Sequence, residues 1–330
     1  MRHDKSTELP GIGILTRRQV VKLLASTGAG VAASQLLFRP AGAGTVNTMA
    51  EIKMEAAIIF EPHIPDALRG ALEYAGDDGF VASMPQLLHA RTNADYGNIM
   101  WNTWFTANSE ESVVRTGKGH RVVVAVHGGG IFASPERFER VYRANVDRGS
   151  PEGFTGQYAG KISGKEARDV LDGKLPDSTE IPVYPFEEFR QGIADLPRRY
   201  GVILDFELAR KSKNWHSRFE VLKDDPLMII RAGGVEANAA YLDKYQARHN
   251  TEVTGNWHPF NRIDPDQPQT RVLFLGGNRG AMGSEGNRQS RGYDSEYGMG
   301  GDPSILGFAR YVAAAPRDMS TNLRYLDLEV

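Results

Sequence analysis

Arg121-Val122-Val123-Val124-Ala125-Val126-His127-Gly128-Gly129-Gly130 is the stretch that decides the fold class. A short β-branched run that stops at glycines is too brief for a helix and predicts a buried core strand. Residues 112–116, followed by the turn Gly117-Lys118-Gly119, predict the first strand of a hairpin in which this run is the second. Downstream, Ser134 is placed to cap a helix with Pro135 in its first turn and Phe138, Val141 and Tyr142 on its apolar face.

The same strand and helix periodicities extend outward. Residues 56–60 predict a strand, and 65–74 a helix with Leu68, Ala71 and Leu72 on one face. Phe186, Phe189, Ile193 and Leu196 form a helical stripe ended by Pro197. Residues 201–209, 227–232 and 271–275 predict strands, and 235–248 a helix. A last helix is expected to open at Asp302-Pro303 and stop before Pro316, followed by a strand over 323–328. Neither a linker nor an internal repeat divides the chain after residue 44. The expected fold is a single mixed-sheet α/β domain over 44–330 with glycine-rich strand-to-helix loops.

Composition narrows the chemistry. The 330 residues are 41% hydrophobic and 24% charged, which fits a globular chain and argues against both disorder and multiple membrane spans. With Cys 0, disulfides, a thiolate nucleophile and any Cys-ligated cofactor are excluded. Six basic residues against two acidic ones give residues 1–43 a charge of +4, so the rest of this -2 chain carries -6. An acidic body without a basic run is a poor partner for nucleic acid.

The N-terminal segment contains Thr16-Arg17-Arg18-Gln19-Val20-Val21-Lys22, then an apolar stretch over 23–38, then Ala41-Gly42-Ala43. This segment resembles a twin-arginine export signal, with Val20 and Val21 departing from the family's usual Phe-Leu. The resemblance implies the twin-arginine translocation machinery as a partner, cleavage after Ala43, and a periplasmic or secreted protein that crosses the membrane folded. The stretch is too short and too polar to remain as a permanent membrane anchor. A start at Met49 is the competing expectation.

Three predicted strands run into glycines: at Gly128-Gly129-Gly130, at Gly233-Gly234 and at Gly276-Gly277. In α/β sheets such strand ends border the ligand crevice, so these glycines of the first two turns are candidate substrate-binding residues. His127-Gly128-Gly129-Gly130 resembles the oxyanion-hole motif of lipase and esterase hydrolases. The Gly-x-Ser-x-Gly motif of that family is absent. Ala159-Gly160-Lys161-Ile162-Ser163-Gly164-Lys165-Glu166 is a near miss to a nucleotide phosphate loop, with Ala for the first Gly and Glu for the final Ser/Thr.

No local zinc motif occurs, so a divalent metal would need a dispersed site, with His127, Asp205, Glu207, His216, His258 and Asp302 as candidates. On the expected strand, Asp205 and Glu207 share a face. Residues 276–301 hold nine glycines among polar side chains, and Asn278 and Arg279 are candidate ligand contacts there. These features favour an exported hydrolase or lyase acting on a small polar, anionic substrate. His127 would be the acid/base, Asp205 or Glu207 its partner or a metal ligand, and Arg279 the anion clamp. The rivals are a periplasmic ligand-binding protein using the same donors, and a structural or cell-surface protein.

Overall fold

The valine run forms the heart of a six-stranded sheet, buried from both sides. A computed structural model describes residues 54–316 except 62, 103, 147–158, 213–214, 250–252, 257–259, 261–262 and 277–308. All of them fall within one unit, Arg39–Val330. Along the chain the strands are β1 (Met54–Glu61), β2 (Phe80–Val81), β3 (Phe105–Arg115), β4 (Arg121–His127), β5 (Gly160–Lys161), β6 (Val183–Pro185), β7 (Tyr200–Asp205), β8 (Trp215–Arg218), β9 (Val253–Asn256), β10 (Gln269–Leu275) and β11 (Ala309–Pro316).

The main sheet has the order β5-β10-β3-β4-β7-β6. Its neighbours are antiparallel apart from β6 and β7, which run parallel. A second sheet, β1-β11-β2, is antiparallel, and β8 pairs with β9. The domain is therefore mixed α/β, as the periodicities predict. β4 alternates between two cores: Val122, Val124 and Val126 pack with Phe138 and Val141, whereas Val123 and Ala125 pack with Val202, Leu204 and Phe206. Full burial of a valine contributes about 1.5–3 kcal/mol, which explains why an uninterrupted apolar run occupies this central position.

The helices Ile64–Ala75, Pro135–Val146 and Val235–His249 fall where the periodicity places them. Ser134 Oγ accepts the N–H of Arg137 at 3.3 Å, capping the second of these. Four expectations need correction. Residues 227–232 form the helix Pro226–Ala232, not a strand: Asp225 Oδ1 accepts the N–H groups of Leu227 and Met228, and Gly233 closes the helix at φ 89°. Leu227–Ala232 is buried on every side, so no polar face betrays its helical period.

The expected strand 201–209 stops at Asp205, which caps the helix Phe206–Lys211 through the N–H groups of Glu207 and Leu208. The stripe from Phe186 is helical only to Arg190. Residues 309–316 form β11 instead of continuing a helix; their alternation puts Ala309, Tyr311 and Ala313 in one core and Val312 in another. Sheet pairing overrides the helix propensity of the alanines. The expected helix start at Asp302-Pro303 and the strand 323–328 lie outside the described residues.

Candidate functional site

His127 closes β4, completely buried. Its Nε2 lies 3.0 Å from the carbonyl of Ile230, which can only accept, so Nε2 carries the proton. Nδ1 then accepts from Ser109 Oγ at 2.9 Å, while Ser109 Oγ itself accepts the N–H of Met84 at 2.9 Å. Both ring nitrogens are engaged in this relay, and the ring lies 5.0 Å from that of Tyr200. Burial pushes its pKa down to about 4, so the imidazole is neutral at pH 7.

The glycines after His127 also direct their donors inward. Gly128 and Gly129 both donate N–H to the carbonyl of Asn108, at 2.9 and 3.0 Å. Gly128 sits at φ 86°, and a Cβ there would stand 2.8 Å from the carbonyl oxygen of Arg198. Gly130 makes room for a carboxylate, because a Cβ would stand 2.6 Å from Glu110 Oε2. That carboxylate accepts the N–H groups of Ile131 and Phe132 at 2.8 and 2.7 Å. The amides of Ile131 and Phe132, just after the glycine-rich turn, thus hold a carboxyl group supplied by β3 of the same chain. Burial raises Glu110 to about 7, an effect opposed by these two N–H groups and by Arg137.

Gly233 and Gly234 likewise donate to the carbonyls of Ile230 and Ile229 at the end of their helix. Asp205 and Glu207 are both exposed; Asp205 caps its helix, and Glu207 pairs with Arg210 at 2.7 Å. The structure does not bring them to His127: Asp205 stands opposite Val122 at the far end of β4 from His127, in the register with β7. Among the described residues no group of three or more His, Asp or Glu side chains is positioned to hold a metal. His258, Asp302, Asn278 and Arg279 lie outside the described residues.

The residues that organise this region are ones the periodicities pass over. β3 begins at Phe105, not at 112, and carries Ser109, Glu110, Glu111 and Ser112, all buried. Adjacent strand residues point to opposite faces, so Glu110 meets the glycine turn while Glu111 meets two arginines. Arg231 Nε and Nη2 donate to Glu111 Oε1 and Oε2 at 2.7 and 3.0 Å, and Arg271 Nη2 donates to Oε2 at 2.5 Å. Arg271 stands directly across from Glu111 in the β10–β3 register. Burial opposes ionisation of Glu111, but the two guanidinium groups outweigh it and hold the carboxyl well below the usual range. Paired acidic residues bounded by serines, with an apolar run after them, were the available signal.

β3 also anchors both flanks of the segment 277–308. Leu275, the last residue of β10, pairs with Phe105, and Arg310 in β11 donates its N–H to Thr106 Oγ1 at 3.3 Å. The described residues on either side of that segment therefore meet neighbouring positions of one strand.

These sheets and helices define a C-type lectin fold. A solved chain described by the words "Accommodation of massive sequence variation in Nanoarchaeota by the C-type lectin fold" matches with a TM-score of 0.53 at 23% identity, covering 81% of this chain and 100% of that one. No family model and no curated protein matches the sequence. The expectation of a hydrolase or lyase is accordingly corrected. It presupposed the strand-end crevice of an α/β enzyme, whereas the fold is lectin-like and its main sheet is largely antiparallel. Among the described residues no helix is long and apolar enough to cross a membrane.

Proposed function

We propose that the chain is a ligand-binding protein in which a rigid lectin-like frame presents the polar segment 277–308 for recognition. The observation that carries this reading is the anchoring of both flanks of the segment on Phe105 and Thr106 of buried β3. A segment whose flanks are fixed side by side can change in sequence with little effect on the strands that hold them. In the solved neighbour the C-type lectin fold accommodates massive sequence variation, which is compatible with this reading. Within the segment, Asn278 and Arg279 supply hydrogen-bond donors suited to a polar or anionic ligand, among glycines that permit close backbone approach.

The test is a screen of the intact chain against an immobilised array of oligosaccharides and small organic acids, repeated with Asn278→Ala combined with Arg279→Ala. Binding without turnover, weakened about ten- to a hundredfold in the double variant, is the expected result. Turnover of any array compound, or equal binding by the double variant, would contradict it.

A further inference from the structure

A cavity of about 320 Å³ opens beside the turn that follows β4, between the helices Pro135–Val146 and Gly164–Leu171. Its walls carry four cations, Arg137, Arg140, Lys165 and Lys174, against two carboxylates, Glu166 and Asp169. Both carboxylates already have partners. Glu166 accepts from Arg137 Nε at 2.6 Å, and Asp169 accepts from Lys165 Nζ at 2.5 Å.

Arg137 distinguishes this cavity from an ordinary charged surface. Its side chain is 5% exposed, and Nη2 donates to the carbonyl of Lys161 at 3.0 Å. Nη1 is buried without a hydrogen-bond partner. Arg137 brings its guanidinium to the wall of the cavity, so its positive field reaches the cavity although Nη1 itself has no exposed surface. The sequence that resembles a phosphate loop ends here as well, though in another role. Ser163 and Glu166 open the helix Gly164–Leu171 with a capping box, and Lys165 becomes a wall of the cavity.

We propose that this cavity is a binding site for a small organic anion, a carboxylate or a phosphate monoester. Its oxygens would accept from the ammonium groups of Lys165 and Lys174, in the field of the Arg137 guanidinium. The volume lies at the low end for ligand sites, about 300–1,000 Å³, which selects a molecule of a few carbons. The wall residues include none of Phe105, Thr106, Leu275 and Arg310, which hold the flanks of the segment 277–308, so failure of this site would leave the recognition role of that segment intact.

Succinate and glycerol 3-phosphate are the probes, titrated calorimetrically into the full chain with sodium chloride at matched ionic strength. At least one should bind saturably and raise Tm, and which one does separates carboxylate from phosphate recognition. Arg137→Gln, which removes the charge at the cavity wall, and Lys174→Glu, an exposed substitution, should each weaken binding tenfold or more. If Arg137→Gln unfolds by circular dichroism, Lys174→Glu decides alone. Absence of saturable binding by both probes up to about 20 mM, or native affinity in Lys174→Glu, would overturn the proposal.

Discussion

Glu111 and Arg231, 120 residues apart in sequence, meet as a two-point ion pair sealed from solvent, with Nε to Oε1 at 2.7 Å and Nη2 to Oε2 at 3.0 Å. Arg271 adds a second guanidinium to the same carboxylate. Removing the carboxylate would leave two buried cations facing each other. Glu111→Gln should therefore cost about 3–5 kcal/mol, read from urea unfolding at pH 7. Replacing all three groups together by Leu, Met and Leu should recover most of that loss, because no unpaired charge remains. A Glu111→Gln protein as stable as the native one would show that the triad is not the clasp between β3, β10 and the helix Pro226–Ala232.

His127 and Glu110 should tilt stability with pH in opposite directions. The His127 imidazole is lowered from 6.5 to about 4, so the unfolded chain takes up a proton first and stability falls as pH drops from 6.5 toward 4. Glu110 is raised from 4.5 to about 7, so the folded chain holds its proton longer and stability falls as pH rises from 4.5 through 7. Urea unfolding across this range should show the first slope lost in His127→Gln and the second lost in Glu110→Gln. Native-like slopes in both variants would contradict the assignments.

Gly130 should not tolerate a side chain. An alanine Cβ would stand 2.6 Å from Glu110 Oε2, forcing the carboxylate away from the N–H groups of Ile131 and Phe132. Gly130→Ala should destabilise by about 1–3 kcal/mol in chemical denaturation, as overpacking and a lost acceptor require. An unchanged midpoint would mean that the turn and Glu110 are not coupled.

Export should depend on the arginine pair. Replacing Arg17 and Arg18 by lysine removes the planar fork that the resemblance to a twin-arginine signal makes the recognised element. Uncleaved precursor in the cytoplasm is the expected outcome by fractionation and N-terminal sequencing. Native protein beginning at Met1 or Met49 would contradict it.

What the sequence discloses and what it hides follow from burial. The valine run of β4, the cap at Ser134 and the helix of Val235–His249 are legible because apolar spacing and cap chemistry are local. The helix Pro226–Ala232 is not, since a segment buried all round loses the polar face that would reveal its period. Asp225-Pro226 was the sign that should have outweighed the apolar run, being a helix start. Around the candidate site, the glycine turn is legible but the carboxyl group beside it is not. That group is Glu110, placed there by pairing of β3 with β4, and only the three-dimensional register brings it to Ile131 and Phe132. Likewise Asp205 and Glu207 share a face only if the strand continues, and Asp205 ends it by capping.

The most direct test of a frame separable from its recognition segment is to exchange residues 277–308 for a glycine- and serine-rich sequence of equal length. Thermal unfolding and array binding would then be measured on the same sample. The expected result is a Tm within about 4 °C of the native chain, corresponding to about 1 kcal/mol or less, together with loss of array binding. A fall in Tm of more than about 10 °C, or binding that survives the exchange, would contradict the division between frame and recognition segment.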